Sequence, residues 1–301
     1  MKKVLITGGS GLVGKTLTRL LLEQGVEVHW LSTRKSASYP NVTIHYWNPS
    51  KLEMEEAALG GVDTVFNLAG ANVAMRWTEE NKRKIMDSRV QGAQTLYNYL
   101  ANSGAKPNIV SASAVGYYPS DYNKLYIESD APNNDFLGTV VQKWEEAVDQ
   151  MTKLNLRVVK LRIGIVLDKG GGALGQMLLP FKLGVGSPLG SGKQWMPWIH
   201  VEDLARMFIH LAEDSSASGA YNAAAENQVR NKEFGAKLAK ALNRPYFFPP
   251  VPAFALKLVL GEMAFIALMS TQISVEKVKA TGFEWKHTDL LEALEDVIDR
   301  Y

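Results

Sequence analysis

Short runs rich in Val, Ile and Leu alternate along the first half of the chain with longer stretches whose apolar positions recur every three or four residues. The runs at 4–7, 26–31, 42–47, 62–68, 108–112 and 157–163 read as strands. The stretch 12–24 places Leu17, Leu20 and Leu21 at helical spacing and stops at Gly25, so it reads as a helix. Residues 79–103 read as a long polar-faced helix and 135–153 as another. Strict alternation of this kind predicts parallel β-α-β units with right-handed crossovers: an α/β fold on a doubly wound parallel sheet.

Beyond residue 164 the rhythm changes. Gly170-Gly171-Gly172 and the segment 184–193 are glycine-rich and are expected to be loops. Pro245, Pro249, Pro250 and Pro252 separate a helical pattern ending near Leu242 from a more helical tail. We therefore expect a large domain over 1–222, with substrate-side insertions around 170–200, and a small, mostly helical C-terminal subdomain over 223–301 that caps the substrate side. The tail 253–269 is strongly apolar, but Lys257 and Glu262 interrupt it, and it falls short of the ~20 apolar residues that a membrane span requires. Packing onto its own domain is its expected fate.

Composition narrows the function classes. Of 301 residues, 46% are apolar and 21% charged, as in ordinary globular chains, and the net charge is only +2. So balanced a charge argues against nucleic acid or a membrane as a partner and leaves a small-molecule substrate. There is no cysteine, which excludes thiolate chemistry and disulfides. The five histidines lack metal-ligand spacing, so no metal is expected. Lys2 and Lys3 lead into an apolar run too short for a signal-peptide core, so a cytoplasmic location is expected, as a monomer or homodimer.

The segment Thr7-Gly8-Gly9-Ser10-Gly11-Leu12-Val13-Gly14 carries the chemistry that is easiest to read. It holds Gly9-x-Gly11-x-x-Gly14, directly follows a strand and opens a helix, which is the context a dinucleotide fingerprint requires. The glycines let the backbone approach a pyrophosphate, and the helix start turns free N–H groups toward it. About 20 residues downstream, where an NAD site places an acid on the ribose, this chain has Ser32-Thr33-Arg34-Lys35. Arg34 can make a bidentate contact with a 2′-phosphate and Lys35 adds a point charge, so NADP(H) is the expected cofactor.

Further motifs are Asn67-Leu68-Ala69-Gly70, Ser111-Ala112-Ser113 followed by Gly116-Tyr117-Tyr118, Trp144-Glu145, the run from Leu161 to Leu167, Gly190-Ser191-Gly192, and Trp198-Ile199-His200-Val201-Glu202-Asp203. Together they resemble the atypical short-chain dehydrogenases/reductases, the epimerase-like family of YfcH type, across essentially the whole chain. The resemblance implies a Rossmann fold, NADP(H) binding and a small C-terminal extension. Besides the glycine turn, it implies cofactor contacts from Thr33, Arg34, Leu68, Ala69, Gly70, Arg89 and, near the nicotinamide, Val166. It implies a structural role for the segment around His200.

In the parent superfamily a Tyr-x-x-x-Lys pair and a Ser perform the proton transfer. The resemblance assigns Ser113 to polarise the substrate oxygen and Lys143 to hold the ribose. Four residues before Lys143, however, stands Thr139, whose hydroxyl is far too weak an acid to replace a phenol of pKa about 10. Tyr117, which follows Ser113 by four residues, or a water is expected to supply the proton instead, the alternative being that Tyr117 and Tyr118 only shape a pocket wall. The expected activity is hydride transfer at a carbonyl or secondary alcohol, such as that of a sugar derivative. The competing reading, kept alive by Thr139, is a weak or inactive NADP(H)-binding regulatory protein.

Overall fold

A computed structural model describes residues 1–168 and 170–299. Its central sheet has eight strands: β1 (Lys3–Thr7), β2 (Glu27–Ser32), β3 (Val42–Asn48), β4 (Glu53–Met54), β5 (Thr64–Asn67), β6 (Asn108–Ala114), β7 (Val158–Ile163) and β8 (Gly219–Ala223). Their spatial order is β8-β7-β6-β5-β1-β2-β3-β4. Every pairing is parallel except the short return of β4 along β3. The order reverses direction between β1 and β5, which creates a crevice at the carboxyl ends of the strands where ligands of open α/β sheets bind.

Helices α1 (Leu12–Glu23), α2 (Glu79–Ser103), α3 (Phe136–Asp149) and α5 (Val201–Glu213) cover the sheet, and α4 (Gly172–Lys182) stands outside it. Then come α6 (Asn231–Ala241), α7 (Ala253–Leu260), α8 (Ala264–Leu268), α9 (Glu276–Lys279) and α10 (Leu290–Asp299). Strands β1 and β5 are buried on both faces, as parallel strands between helical layers must be, with Val4, Leu5, Ile6, Val65 and Phe66 fully inaccessible. Each such side chain contributes roughly 1.5–3 kcal/mol through removal from water.

A second, smaller core joins Leu174, Leu178 and Phe181 of α4 and Trp198 to Phe234 and Leu238 of α6 and to Leu294 of α10. It is thus assembled from both sides of residue 222 in the chain. Two expectations need correction. The glycine-rich stretch after 170 is not all loop, because Gly172 adopts a left-handed φ of 64° and releases the chain into α4, whose Leu174, Leu178 and Phe181 are buried. The tail does not pack wholly onto its own domain: α7 buries none of its residues.

Candidate functional site

The glycine turn sits at the carboxyl end of β1, beside the reversal of strand order. Gly8 has a φ of 72°, and a Cβ there would stand 2.9 Å from the Ala69 nitrogen. At Gly14 a Cβ would come within 2.4 Å of the Gly8 carbonyl oxygen, so helix and turn can be this close only without a side chain. Gly11 is the N-cap of α1 in extended conformation and offers no capping side chain, which leaves the first amides of the helix without a side-chain acceptor. Ser10 and Gly11 are exposed while Gly9 is buried against the Trp30 ring. This is a cradle suited to a pyrophosphate. Gly14→Val is expected to abolish binding of both NADPH and NADH in calorimetry; Gly11→Ala, whose Cβ would meet only the Gly8 oxygen at 3.2 Å, should leave the fold intact.

The neighbouring loop is held in register with this turn. The Thr7 hydroxyl accepts the amides of Leu68 and Ala69, both at 3.0 Å, and donates to Asn67 Oδ1 at 2.9 Å. Asn67 in turn donates to Ser111 Oγ at 3.0 Å. At the end of β2, Thr33, Arg34 and Lys35 are exposed, with Arg34's amide held by Ser32 Oγ and Lys35 lying over the Tyr46 ring. No carboxylate pairs with Arg34 among the described residues.

Arg89, on α2, reaches back under Gly70. Its guanidinium donates to the carbonyls of Ala71 and Ile85 and lies 5.0 Å from the centroid of the Trp144 ring. Burial pulls its pKa down to about 10, and no acid among the described residues opposes that. A cation in this position gains from an anionic ligand. Val166 lies beyond β7, half-buried and paired with Ile199 in a short parallel ladder.

The proposed catalytic residues divide. Ser113 ends β6 and is buried, and its hydroxyl donates to Glu145 Oε1 at 2.6 Å. Arg162, on β7, grips the same carboxylate with two parallel bonds, Nε to Oε1 at 2.9 Å and an Nη to Oε2 at 3.0 Å. Arg162 also donates to the Tyr118 hydroxyl at 2.9 Å, and its guanidinium stands 3.4 Å from the centroid of the Tyr117 ring. Burial raises the Glu145 pKa, but the hydrogen bonds and charge of Arg162, with Lys160 behind, outweigh it, and the net shift is downward. Tyr118 donates to Asn222 Oδ1, and burial pushes its pKa up to about 12, which makes it a structural phenol. Tyr117 is only half-buried, in a short 3-10 turn after β6.

Lys143 is not brought to Ser113. Helix α3 buries Val140, Val141, Trp144, Glu145 and Val148, and the helical period turns Thr139 and Lys143 outward together. Lys143 pairs with Glu146 at 2.9 Å on the solvent face. The inward pairs four residues apart are Val140 with Trp144 and Val141 with Glu145, so α3 directs neither phenol nor ammonium at the site. Sequence reasoning missed Glu145 and Arg162 as partners of Ser113. Their adjacency in the strand and helix patterns gave no sign of it, although two charged residues on inward positions are a signal once the burial is known.

His200, His287 and Asp296 each place a ligand-type atom within 4.8 Å of the others. His200 Nδ1 accepts the amide of Glu202, so its proton sits on Nε2, which faces Asp296 Oδ2 at 3.1 Å. A metal at that nitrogen would have to displace this proton, and the two imidazoles stack face to face with centroids 3.7 Å apart. The cluster ties the start of α5 to α10 by hydrogen bonds.

A parallel sheet with a strand-order reversal, a glycine turn opening onto a helix start, and cations at the end of β2 define a Rossmann-type nucleotide-binding protein. Comparison with known proteins is more particular. Residues 4–224 match the NAD dependent epimerase/dehydratase family, and residues 251–297 match a domain of unknown function, DUF1731. The chain belongs to that epimerase/dehydratase family. An epimerase family protein of Staphylococcus aureus (strain MRSA252) is 39% identical over 303 residues, covering 100% of both chains. The crystal structure of the human epimerase family protein SDR39U1 (isoform 2) with NADPH superposes with a TM-score of 0.88 at 32% identity, covering 99% of this chain and 100% of that one. UDP-N-acetylglucosamine 4-epimerase from Bacillus cereus, at 18% identity, TM-score 0.80 and coverage of 99% and 98%, shares the fold. Among the described residues no helix is long and apolar enough to cross a membrane.

Proposed function

We propose that this protein binds NADP(H) and transfers a hydride at a carbonyl or secondary alcohol of a small molecule, a sugar derivative being the class that the epimerase family suggests. The observation that carries the cofactor choice is Arg34, exposed and without an acid at the end of β2 where a 2′-phosphate would lie. The NADPH in the human relative supports the same choice. Turn amides at 8–14 take the pyrophosphate, Leu68, Ala69 and Gly70 line the adenosine side, Arg89 adds charge, and Val166 abuts the ring. When bound, the nicotinamide supplies or removes the hydride.

Proton handling falls to the Ser113–Tyr117 corner. The Ser113 hydroxyl, which donates to Glu145 in this structure, polarises a substrate carbonyl by turning that proton to the substrate oxygen. Tyr117 delivers or takes the proton, directly or through a water. Arg162 braces both, holding Glu145 with its hydrogen bonds and the Tyr117 ring with its flat face. Lys143, turned to solvent, takes no part.

A second reading has its own support: α3 presents no inward phenol and ammonium pair, as suits an NADP(H)-binding protein without turnover. A single-turnover absorbance assay with NADPH and a panel of sugars and carbonyl compounds tests the choice. Oxidation of NADPH, reduced by at least ~100-fold in Tyr117→Phe with its NADPH affinity unchanged, is the expected result. Lys143→Ala should turn over normally. Tight NADPH binding with no oxidation by any compound would favour the second reading.

A further inference from the structure

Helix α7 and its surroundings present an apolar surface that the fold leaves uncovered. Leu179 and Leu183 of α4, Phe247 of the proline-rich connection, and Phe254, Leu258 and Val259 of α7 are each between 65% and 86% exposed. The segments are neighbours. Phe181 stacks on Tyr246 with centroids 5.9 Å apart, Gly184 adjoins Pro245, and Leu189 bridges to Val251 just before α7. Six large apolar side chains this exposed on adjoining segments are more than singly scattered surface residues.

Charge on this face is predominantly positive. Residues 179–186 and 243–262 contain Lys182, Arg244 and Lys257, all exposed, against one acid, Glu262, which pairs with Lys82. An isologous pairing of this face with a second copy would bring these cations together across the interface, with Glu262 already engaged by Lys82, at a cost that opposes a dimer. An apolar surface rimmed by cations instead complements an interface of acyl chains beneath anionic headgroups. The geometry points to this face as a docking surface for an anionic lipid bilayer, with α7 lying in the plane of the interface. The chain rests on the membrane without spanning it, which the short, cation-bearing α7 could not do in any case.

The placement also relates the surface to the site. After α7 the chain turns through Glu262, which pairs at 2.7 Å with Lys82 at the start of α2, and Lys82 lies over the ring of Phe136 at the start of α3. Both helices begin at the carboxyl ends of the sheet strands, so the apolar face borders the opening of the crevice. Docking there would present the crevice to molecules at the lipid surface.

Vesicle co-sedimentation of the full chain tests the inference, with phosphatidylcholine vesicles compared with vesicles that also contain phosphatidylserine. Binding to the anionic vesicles, weaker on neutral ones and falling with added salt, is expected. Lys182→Glu and Lys257→Glu should each weaken it about fivefold or more. Leu258→Asp, at an exposed position, should abolish it while leaving NADPH affinity and the unfolding temperature unchanged. No binding to anionic vesicles would overturn the inference. So would a dimer in sedimentation velocity that Leu258→Asp dissociates, because the face would then belong to a second copy. Vesicle binding undiminished by Leu258→Asp would equally refute the assignment to this surface.

Discussion

Replacing Glu145 by alanine is expected to cost about 3–5 kcal/mol of folding stability, a large share of the roughly 5–15 kcal/mol that holds a native chain together. The magnitude follows from what is left behind. Arg162 is buried, donates two of its bonds to Glu145, and would keep its charge with only the Glu128 backbone carbonyl and the Tyr118 hydroxyl to accept its remaining bonds. Ser113 would lose its acceptor at the same stroke. Urea unfolding followed by tryptophan fluorescence measures the loss. The double replacement Glu145→Leu with Arg162→Met should recover much of it, since an apolar pair of similar volume has no charge to strand. A loss below about 1 kcal/mol in the single variant would show that the pair is far better hydrated than its burial indicates. The same pair sets an acid limit. Because the folded Glu145 pKa lies below 4.5, its contribution is complete above that pH and disappears as pH falls through the folded value.

Arg34→Ala is expected to weaken NADPH binding by about 1.5–3 kcal/mol, on the order of 10- to 150-fold, and to leave NADH nearly unchanged. Arg34 is exposed and anchored through its backbone, to Ser32 and to the Ala37 amide, so loss of its side chain leaves the fold undisturbed. The side chain matters only if an anion is placed beside it. Calorimetric titration with each nucleotide reads the difference directly. Equal weakening of both would remove the 2′-phosphate from Arg34, and no effect on either would move nucleotide binding away from the end of β2.

The two variants probe parts of the molecule that were unequally legible in the sequence. The phosphate turn was readable because glycine spacing, a preceding β run and a following helical period are all local signals, and Gly8 and Gly14 sit where those signals require. The doubly wound parallel sheet followed from the alternation of elements. The edge strand β8 did not, since Gly219–Ala223 is short and lies outside the alternating series. Lys143 illustrates a different failure. Its distance from Thr139 has the Tyr-x-x-x-Lys spacing, but spacing fixes only which residues share a face, and the face that α3 buries is chosen by Val140, Val141, Trp144 and Val148. Glu145 entered the sequence reading only through the Trp144-Glu145 motif, because its partner Arg162 lies 17 residues away on another element. The tail around α7 was expected to pack because it is apolar, yet composition cannot tell burial in the chain from an apolar face left outside.

Thr7 accepts two amides of the loop after β5 and passes its own proton to Asn67 in the same stretch, so the first and fifth strands are stapled together where they open. The floor and the wall of the cradle are therefore joined by hydrogen bonds that need no nucleotide to form. Entry at the adenosine end is then the meeting of a guest with a rigid socket, its pace set by diffusion and steering charge rather than by reshaping of the host.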